Sequence, residues 1–314
     1  MEGDNYGISV SLSNNNLAVG ASGDSSDKGA VYMYGFSVGG PNDVFFPLVS
    51  KLSPAVLEEG SLFGSAVALY EGAEVSTPEF TPPATVVIGA PGHGGGDGAA
   101  FVYMAADGTS PDWEKKTTLL SNDPGVTSFG QSVALYVDVL AVGGTMETGG
   151  IVSVYRYDDV VLGNWTFEDV LMASDASAGD GFGFSLSLYR DLTSDFEAVL
   201  LVVGAPASSA VYLKVYNPNM EAWFENSKLT SDSGSDIQFG YSVSCYEGTV
   251  AVGAPEASGS AGSVTVYKPY NNSGTGSGSQ RIAWAVQTEV CMCRQYCTAA
   301  VLQCMPLYIT KLCV

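Results

Sequence analysis

Phe182-Gly183-Phe184-Ser185-Leu186-Ser187-Leu188, followed by Leu201-Val202-Val203-Gly204-Ala205-Pro206, is the stretch on which the fold turns. Its first half alternates large with small residues, the period-two pattern of a strand with a bulky face and a bare one. Its second half is an apolar, β-branched run stopped by Gly and Pro, the signature of an inner strand ending in a turn. The same order recurs. Aromatic-Gly pairs stand at Tyr6-Gly7, Phe63-Gly64, Phe129-Gly130, Phe182-Gly183 and Phe239-Gly240, at intervals of 57, 66, 53 and 57 residues. Repeats of this length mark an architecture of stacked supersecondary units.

After each pair, Val10 and Leu12, Val67 and Leu69, Val133 and Leu135, Leu186 and Leu188, or Val243 and Cys245 hold the bulky positions. Only Ser or Ala lies between them, which predicts a crowded site where another backbone comes close. A third run follows, Val31 to Tyr34, Phe101 to Tyr103, Val152 to Tyr155, Val211 to Tyr216 and Val264 to Tyr267. Gly29, Gly98, Gly150 and Gly262 stand five residues before its final Tyr, whereas repeat four places Val211 there. A fourth run keeps an interval of six positions from Phe46 to Leu52, Trp113 to Leu119, Trp165 to Leu171, Trp223 to Leu229, and Trp284 to Val290. Four short strands per unit and no helical period predict an all-β propeller of four-stranded blades. The repeats occupy 1–290; residues 291–314 form a Cys-rich tail outside them.

Phe-Gly-x-Ser-Val, a Gly-Ala-Pro run, Gly-x-Val-x-Val-Tyr and an outer Trp strand together resemble the FG-GAP repeat family, known from the propeller of integrin alpha subunits. The resemblance implies a non-catalytic, extracellular or cell-surface recognition module binding protein or glycan through its blade loops. Integrin-type propellers have seven blades, and five repeats are identifiable here. The two arrangements open are a closed five-bladed ring and a partial seven-bladed array. The ends carry no distinct caps, which favours the partial array.

Composition narrows the partners. Thirty-three acidic against 12 basic residues give a formal charge of -21, which disfavours nucleic acid and anionic membrane surfaces. No apolar run approaches the ~20 residues that span a bilayer, so direct membrane insertion is not expected. No signal peptide precedes the first repeat, so a secreted form implies a leader outside this sequence. Asp123, Asp175, Asp180, Asp232 and Asp236 precede the aromatic-Gly turns and read first as a solvated, self-repelling surface.

The family's calcium loops need several oxygens from one tight turn. The connection between the first two strands is too short for that in repeats one, three and five. Repeat two has Glu71, Glu74 and Glu79 at unsuitable spacing. Repeat four offers a weak candidate in Asp191, Asp195 and Glu197, with Phe196 where Gly belongs and Val199 where the closing Asp belongs.

His93 is the only histidine, so two-His zinc sites are excluded. Its loop, Gly92 to Gly98, leads into a strand rather than the helix a phosphate cradle needs. Gly35-Phe36-Ser37-Val38-Gly39 matches a nucleophile elbow in letters, but a loop follows where a helix is required. No catalytic, cofactor or metal residue is assigned. The rival class is a polysaccharide-active enzyme with loop carboxylates at the axis; a further reading is a fragment of a larger cell-surface protein. Cys245 occupies a core position, while Cys291, Cys293, Cys297, Cys304 and Cys313 have no zinc spacing.

Overall fold

The alternating run becomes the innermost strand of each of five sheets. The computed structural model describes residues 3–40, 43–71, 83–105, 112–158, 164–190, 199–231, 238–257, 261–270 and 283–291. Blade 1 contains β1 (Tyr6–Ser13), β2 (Asn16–Ala21), β3 (Ala30–Gly35) and β6 (Leu48–Leu52), with a hairpin of β4 (Ser37–Gly40) and β5 (Asp43–Phe45) before its last strand. Blade 2 is β7 (Ala66–Tyr70), β8 (Thr85–Ala90), β9 (Ala99–Ala105) and β10 (Trp113–Leu119). Blade 3 follows as β11 (Thr127–Tyr136), β12 (Val139–Thr145), β13 (Ile151–Asp158) and β14 (Asn164–Leu171). β15 (Ser185–Arg190), β16 (Val199–Ala205), β17 (Ala210–Asn217) and β18 (Ala222–Thr230) make blade 4. Blade 5 is β19 (Ser242–Tyr246), β20 (Thr249–Ala254), β21 (Ser263–Tyr270) and β22 (Ala283–Cys291). Every pairing within a blade is antiparallel. The five four-stranded sheets succeed one another as the blades of a five-blade β-propeller.

Four apolar cores fill the seams between consecutive blades, each closed by the aromatic of the next repeat: Phe63, Phe129, Phe182 and Phe239, all buried. The small residues of the first strands explain themselves at these seams. Ser9, Ser132 and Ser185 donate their hydroxyls to the carbonyls of Gly64, Gly183 and Gly240 in the following blade, at 2.7, 2.6 and 2.8 Å. Ser11 and Ser187 accept the backbone N–H of Leu69 and Cys245 at 3.0 and 2.9 Å. The second-strand glycines are just as close: a Cβ on Gly20, Gly89, Gly143 or Gly204 would lie 1.9–2.2 Å from the next blade's Gly64, Gly130, Gly183 or Gly240 oxygen. Any side chain there forces two blades apart.

Repeat four corrects the sequence reading. Strand register pairs Leu201 with Lys214, as Leu17 pairs with Tyr34 and Leu140 with Tyr155. Lys214, not Tyr216, therefore holds the tyrosine position. The residue in the glycine's place is Ser209, which takes the left-handed conformation at φ 48° that Gly29, Gly98, Gly150 and Gly262 take elsewhere. Cys245 packs in the blade 4–5 core, and burial pushes its thiol up to about 12 despite the Ser187 hydroxyl at 3.3 Å. The strand β22 ends at Cys291; the rest of the Cys-rich tail lies outside the described residues. Among the described residues no helix is long and apolar enough to cross a membrane.

Candidate interaction surface

Six exposed apolar side chains lie on one stretch of blade 1, the hairpin inserted between β3 and β6 and the start of β6 itself. Asn16 pairs with Gly35 at the end of β3, so the hairpin leaves blade 1 at the rim that carries the β1–β2 turn. Its strands pair Ser37 with Phe45 and Val38 with Val44. Its base is tied by the Phe36 N–H to the Asn15 carbonyl and the Gly35 N–H to the Pro47 carbonyl. Phe36 and Phe46 meet edge to face, with ring centroids 5.7 Å apart. Phe36, Val38, Phe45, Phe46, Leu48 and Val49 nevertheless all stand exposed. They form an exposed apolar group at one rim of an acidic chain.

A second aromatic feature runs along the same rim. Tyr70, Tyr136, Tyr189 and Tyr246 close the first strands of blades 2 to 5 and touch in sequence, with centroids 5.9, 5.5 and 5.6 Å apart. Ser13 takes this position in blade 1, and Tyr246 is exposed at the far end of the ladder. Beside it runs a charged chain. Asp138 accepts from Arg190 at 2.7 Å and from Arg156 at 3.0 Å, and Arg156 forms a two-pronged pair with Glu168 at 2.9 and 3.0 Å. The Arg156 guanidinium also lies over the Tyr216 ring, 4.6 Å from its centroid, so the network ties blade 3 to blade 4. Glu71 ties blade 2 to blade 1, accepting from the Asn15 N–H at 3.1 Å and from the Asn16 side chain. The rim is therefore tied from blade to blade, with the hairpin at its blade 1 end.

The opposite rim carries partly exposed ionic pairs. Asp24 accepts from Tyr32 at 2.7 Å and from Lys51 at 2.8 Å. Asp175 makes the same arrangement with Tyr212 at 2.7 Å and Lys228 at 2.6 Å. In each case the lysine also caps the tyrosine ring, 5.1 and 5.0 Å from its centroid. Burial alone would raise Asp24, but hydrogen bonds from Lys51, Ser25 and Tyr32 outweigh it and hold the carboxyl at about 2. A depressed carboxyl stabilises the fold above its unfolded value, and that contribution disappears as pH falls through the folded value. Asp24→Asn is therefore expected to cost about 1–2 kcal/mol at neutral pH. The melting-temperature gap between the two proteins is expected to close as pH falls from ~4 toward ~2.

The residues singled out in the sequence fall in different places. Gly35 closes β3 and Ser37 to Gly39 lie on β4, so Ser37 lacks the strand-to-helix turn of a nucleophile elbow, and among the described residues His93 faces Ser61 and Glu58 instead. His93 opens a single tight turn, packs edge-on against Phe101 at 5.6 Å and lies 3.8 Å from Glu58. Asp180 accepts the Ser177 N–H at 2.8 Å and so closes its own loop. The calcium candidate Asp191, Asp195 and Glu197 lies outside the described residues, as do Asp232 and Asp236. Among the described residues no group of three His, Cys, Asp or Glu is placed to hold a metal ion. The hairpin was missed in sequence because Gly40 to Asp43 read as an ordinary loop; the signal was Phe36 and Phe45-Phe46 flanking it at strand spacing.

Residues 1–34, 165–214 and 223–267 match the FG-GAP repeat. No curated protein matches the chain. Solved structures similar to it include the complex of KlAtg21 with the coiled-coil of AgAtg16, at 12% identity and a TM-score of 0.48, covering 90% of this chain and 70% of that one. The Dos1 propeller is similar at 12% identity and a TM-score of 0.48, with 82% of this chain and 55% of that one covered. The chain thus spans little more than half of the Dos1 propeller chain. The matched regions take in strands of four of the five blades of this β-propeller, so the chain is similar to the FG-GAP repeat over blades 1, 3, 4 and 5.

Proposed function

We propose that this protein is a non-catalytic recognition module that binds a protein partner through the rim carrying the β1–β2 turns. The observation that carries the reading is the exposed hairpin of blade 1, an apolar anchor raised above a platform of charge and tyrosine. Anchors of this kind dominate binding when a partner's pocket closes over them. An FG-GAP propeller is compatible with such a role, its strands serving as rigid supports and its loops as the reading surface. A glycan is the second ligand class, favoured by the exposed ring of Tyr246 at the end of the ladder. The family resemblance adds an extracellular or cell-surface setting and calcium at Asp191, Asp195 and Glu197 as parts of the same proposal.

The rival enzyme reading needs a carboxyl kept protonated near neutral pH. Asp24, Asp175 and Glu225 are instead all held below the usual carboxylate range by lysine and hydroxyl partners.

The test is a comparison of the chain with its Phe36→Ser/Phe45→Ser variant, both verified as folded by circular dichroism. Candidate extracellular proteins and a glycan array are titrated against each, with calcium and with chelator. The expected result is saturable binding to a protein that weakens at least ~30-fold in the variant, equivalent to ~2 kcal/mol. Chelator weakens it further where calcium shapes the blade 4 loop. Equal binding by both proteins, or binding to glycan alone, overturns the hairpin reading.

A further inference from the structure

We propose that the junction between blade 5 and blade 1 is an interaction surface that takes a second copy of this chain, blade 5 of one copy receiving blade 1 of the next. This rests on the seams alone and is independent of the hairpin's role. Four seams share one set of contacts, and both halves of a fifth set are present on the molecule without meeting.

The first half lies on blade 1. Tyr6 is 47% exposed, whereas Phe63, Phe129, Phe182 and Phe239 are at most 1% exposed. Val10, Leu12 and Leu17 are half-buried where their counterparts in the other blades are buried. Gly64, Gly130, Gly183 and Gly240 each abut a carbonyl of the preceding blade, 2.3–2.6 Å from an added Cβ, but a Cβ on Gly7 would meet nothing within 4 Å.

The second half lies on blade 5. Val31, Met33, Val152, Val154, Val211 and Leu213 are fully buried by the blade that follows them; the equivalent Val264 and Val266 are half-buried. An added Cβ on Gly253 would meet only Ser242 of its own strand pair, with no carbonyl from a following blade. Among the described residues the hydroxyls of Ser242 and Ser244 make no hydrogen bond, although those of the equivalent Ser185 and Ser187 bond across their seam to Gly240 and Cys245.

The halves fit because they are the two sides of one repeated joint. Ser242 would donate to the Gly7 carbonyl of the incoming copy, and Ser244 would accept its Leu12 N–H. Val264 and Val266 would cover Tyr6, Val10 and Leu12. Each chain offers one half of each kind at different places on its surface. The contact is therefore heterologous, running head to tail, and adds copies without a two-fold limit. The charge of -21 on each copy opposes association, so added salt is expected to strengthen it.

The experiment blocks one half at a time in the full chain. Sedimentation velocity is run from about 1 to about 100 µM, a range over which mass action reveals a weak association. The wild type is expected to form a concentration-dependent series of species. Val10→Asp and Val266→Asp, each verified as folded, are each expected to remain monomeric. An equimolar mixture of the two is expected to form a dimer and nothing larger, because each retains one intact half. Tyr6→Ser, at an exposed position, serves as a second blade 1 block. A wild type that stays monomeric throughout, through closure on itself or otherwise, overturns the proposal. So do blocked variants that still associate alone, and a mixture that fails to pair.

Discussion

Gly89→Ala is expected to lower stability by more than about 4 kcal/mol, a loss large enough to remove most of a typical folding free energy. The added Cβ would sit 1.9 Å from the Gly130 oxygen, and the obstacle is backbone from the neighbouring blade. No rotamer change relieves such a clash; the blade 2–3 seam has to open. Gly253→Ala makes the same change at the same place in blade 5. There the Cβ meets only the Ser242 hydroxyl at 2.3 Å, a group free to rotate, so a cost of ~1 kcal/mol is expected. Urea denaturation of both variants beside the wild type checks the pair. Equal losses would mean that the tight fit comes from within the strand pair, not from the seam.

The second large effect is expected at Glu225. Lys214 is buried, with its ammonium on Glu225 at 2.8 Å and the Met172 carbonyl at 2.7 Å. Burial would raise the Glu225 carboxyl, but Lys214 and Ser174 outweigh it and hold it below the usual range. Glu225→Gln leaves the ammonium buried without its counter-charge and is expected to cost ~3 kcal/mol. The double variant Lys214→Met/Glu225→Gln is expected to recover more than half of that, because a methionine fits the site without a charge to compensate. Melting temperatures of the wild type, both single variants and the double variant make the cycle. Additive losses would show that the two side chains act separately.

The strands were legible because burial repeats: each blade must present one bulky face and one bare face, and period two leaves little else to do with Val10-Ser11-Leu12 or Leu186-Ser187-Leu188. The crowding of the bare face was legible too, since only Ser and Ala fill it. What escaped was set by register. Lys214 stands where four blades have tyrosine, and Tyr216 two residues later drew the alignment toward itself. The lysine could replace the tyrosine because Glu225 reaches it from the fourth strand, a contact no spacing rule encodes. The rim escaped for a related reason. Tyr70, Tyr136, Tyr189 and Tyr246 are one per blade and more than fifty residues apart, so they form a ladder only after the blades are placed. The hairpin carries its own signal, but the Gly40-Pro41 step in its sequence disguises a strand pair as a turn.

The ties across the closed seams join residues 51 to 58 positions apart, about one blade of chain. Nothing a new blade docks against is downstream of it. The molecule can therefore be assembled vectorially during synthesis: each blade, once clear of the ribosome, seals against a neighbour already in place. The loop closed at each step stays the same size, so the entropic toll of adding the fifth blade matches that of adding the second. Until the next blade arrives, one row of serine hydroxyls and valines stays open, and the growing end remains the adhesive part of the nascent chain.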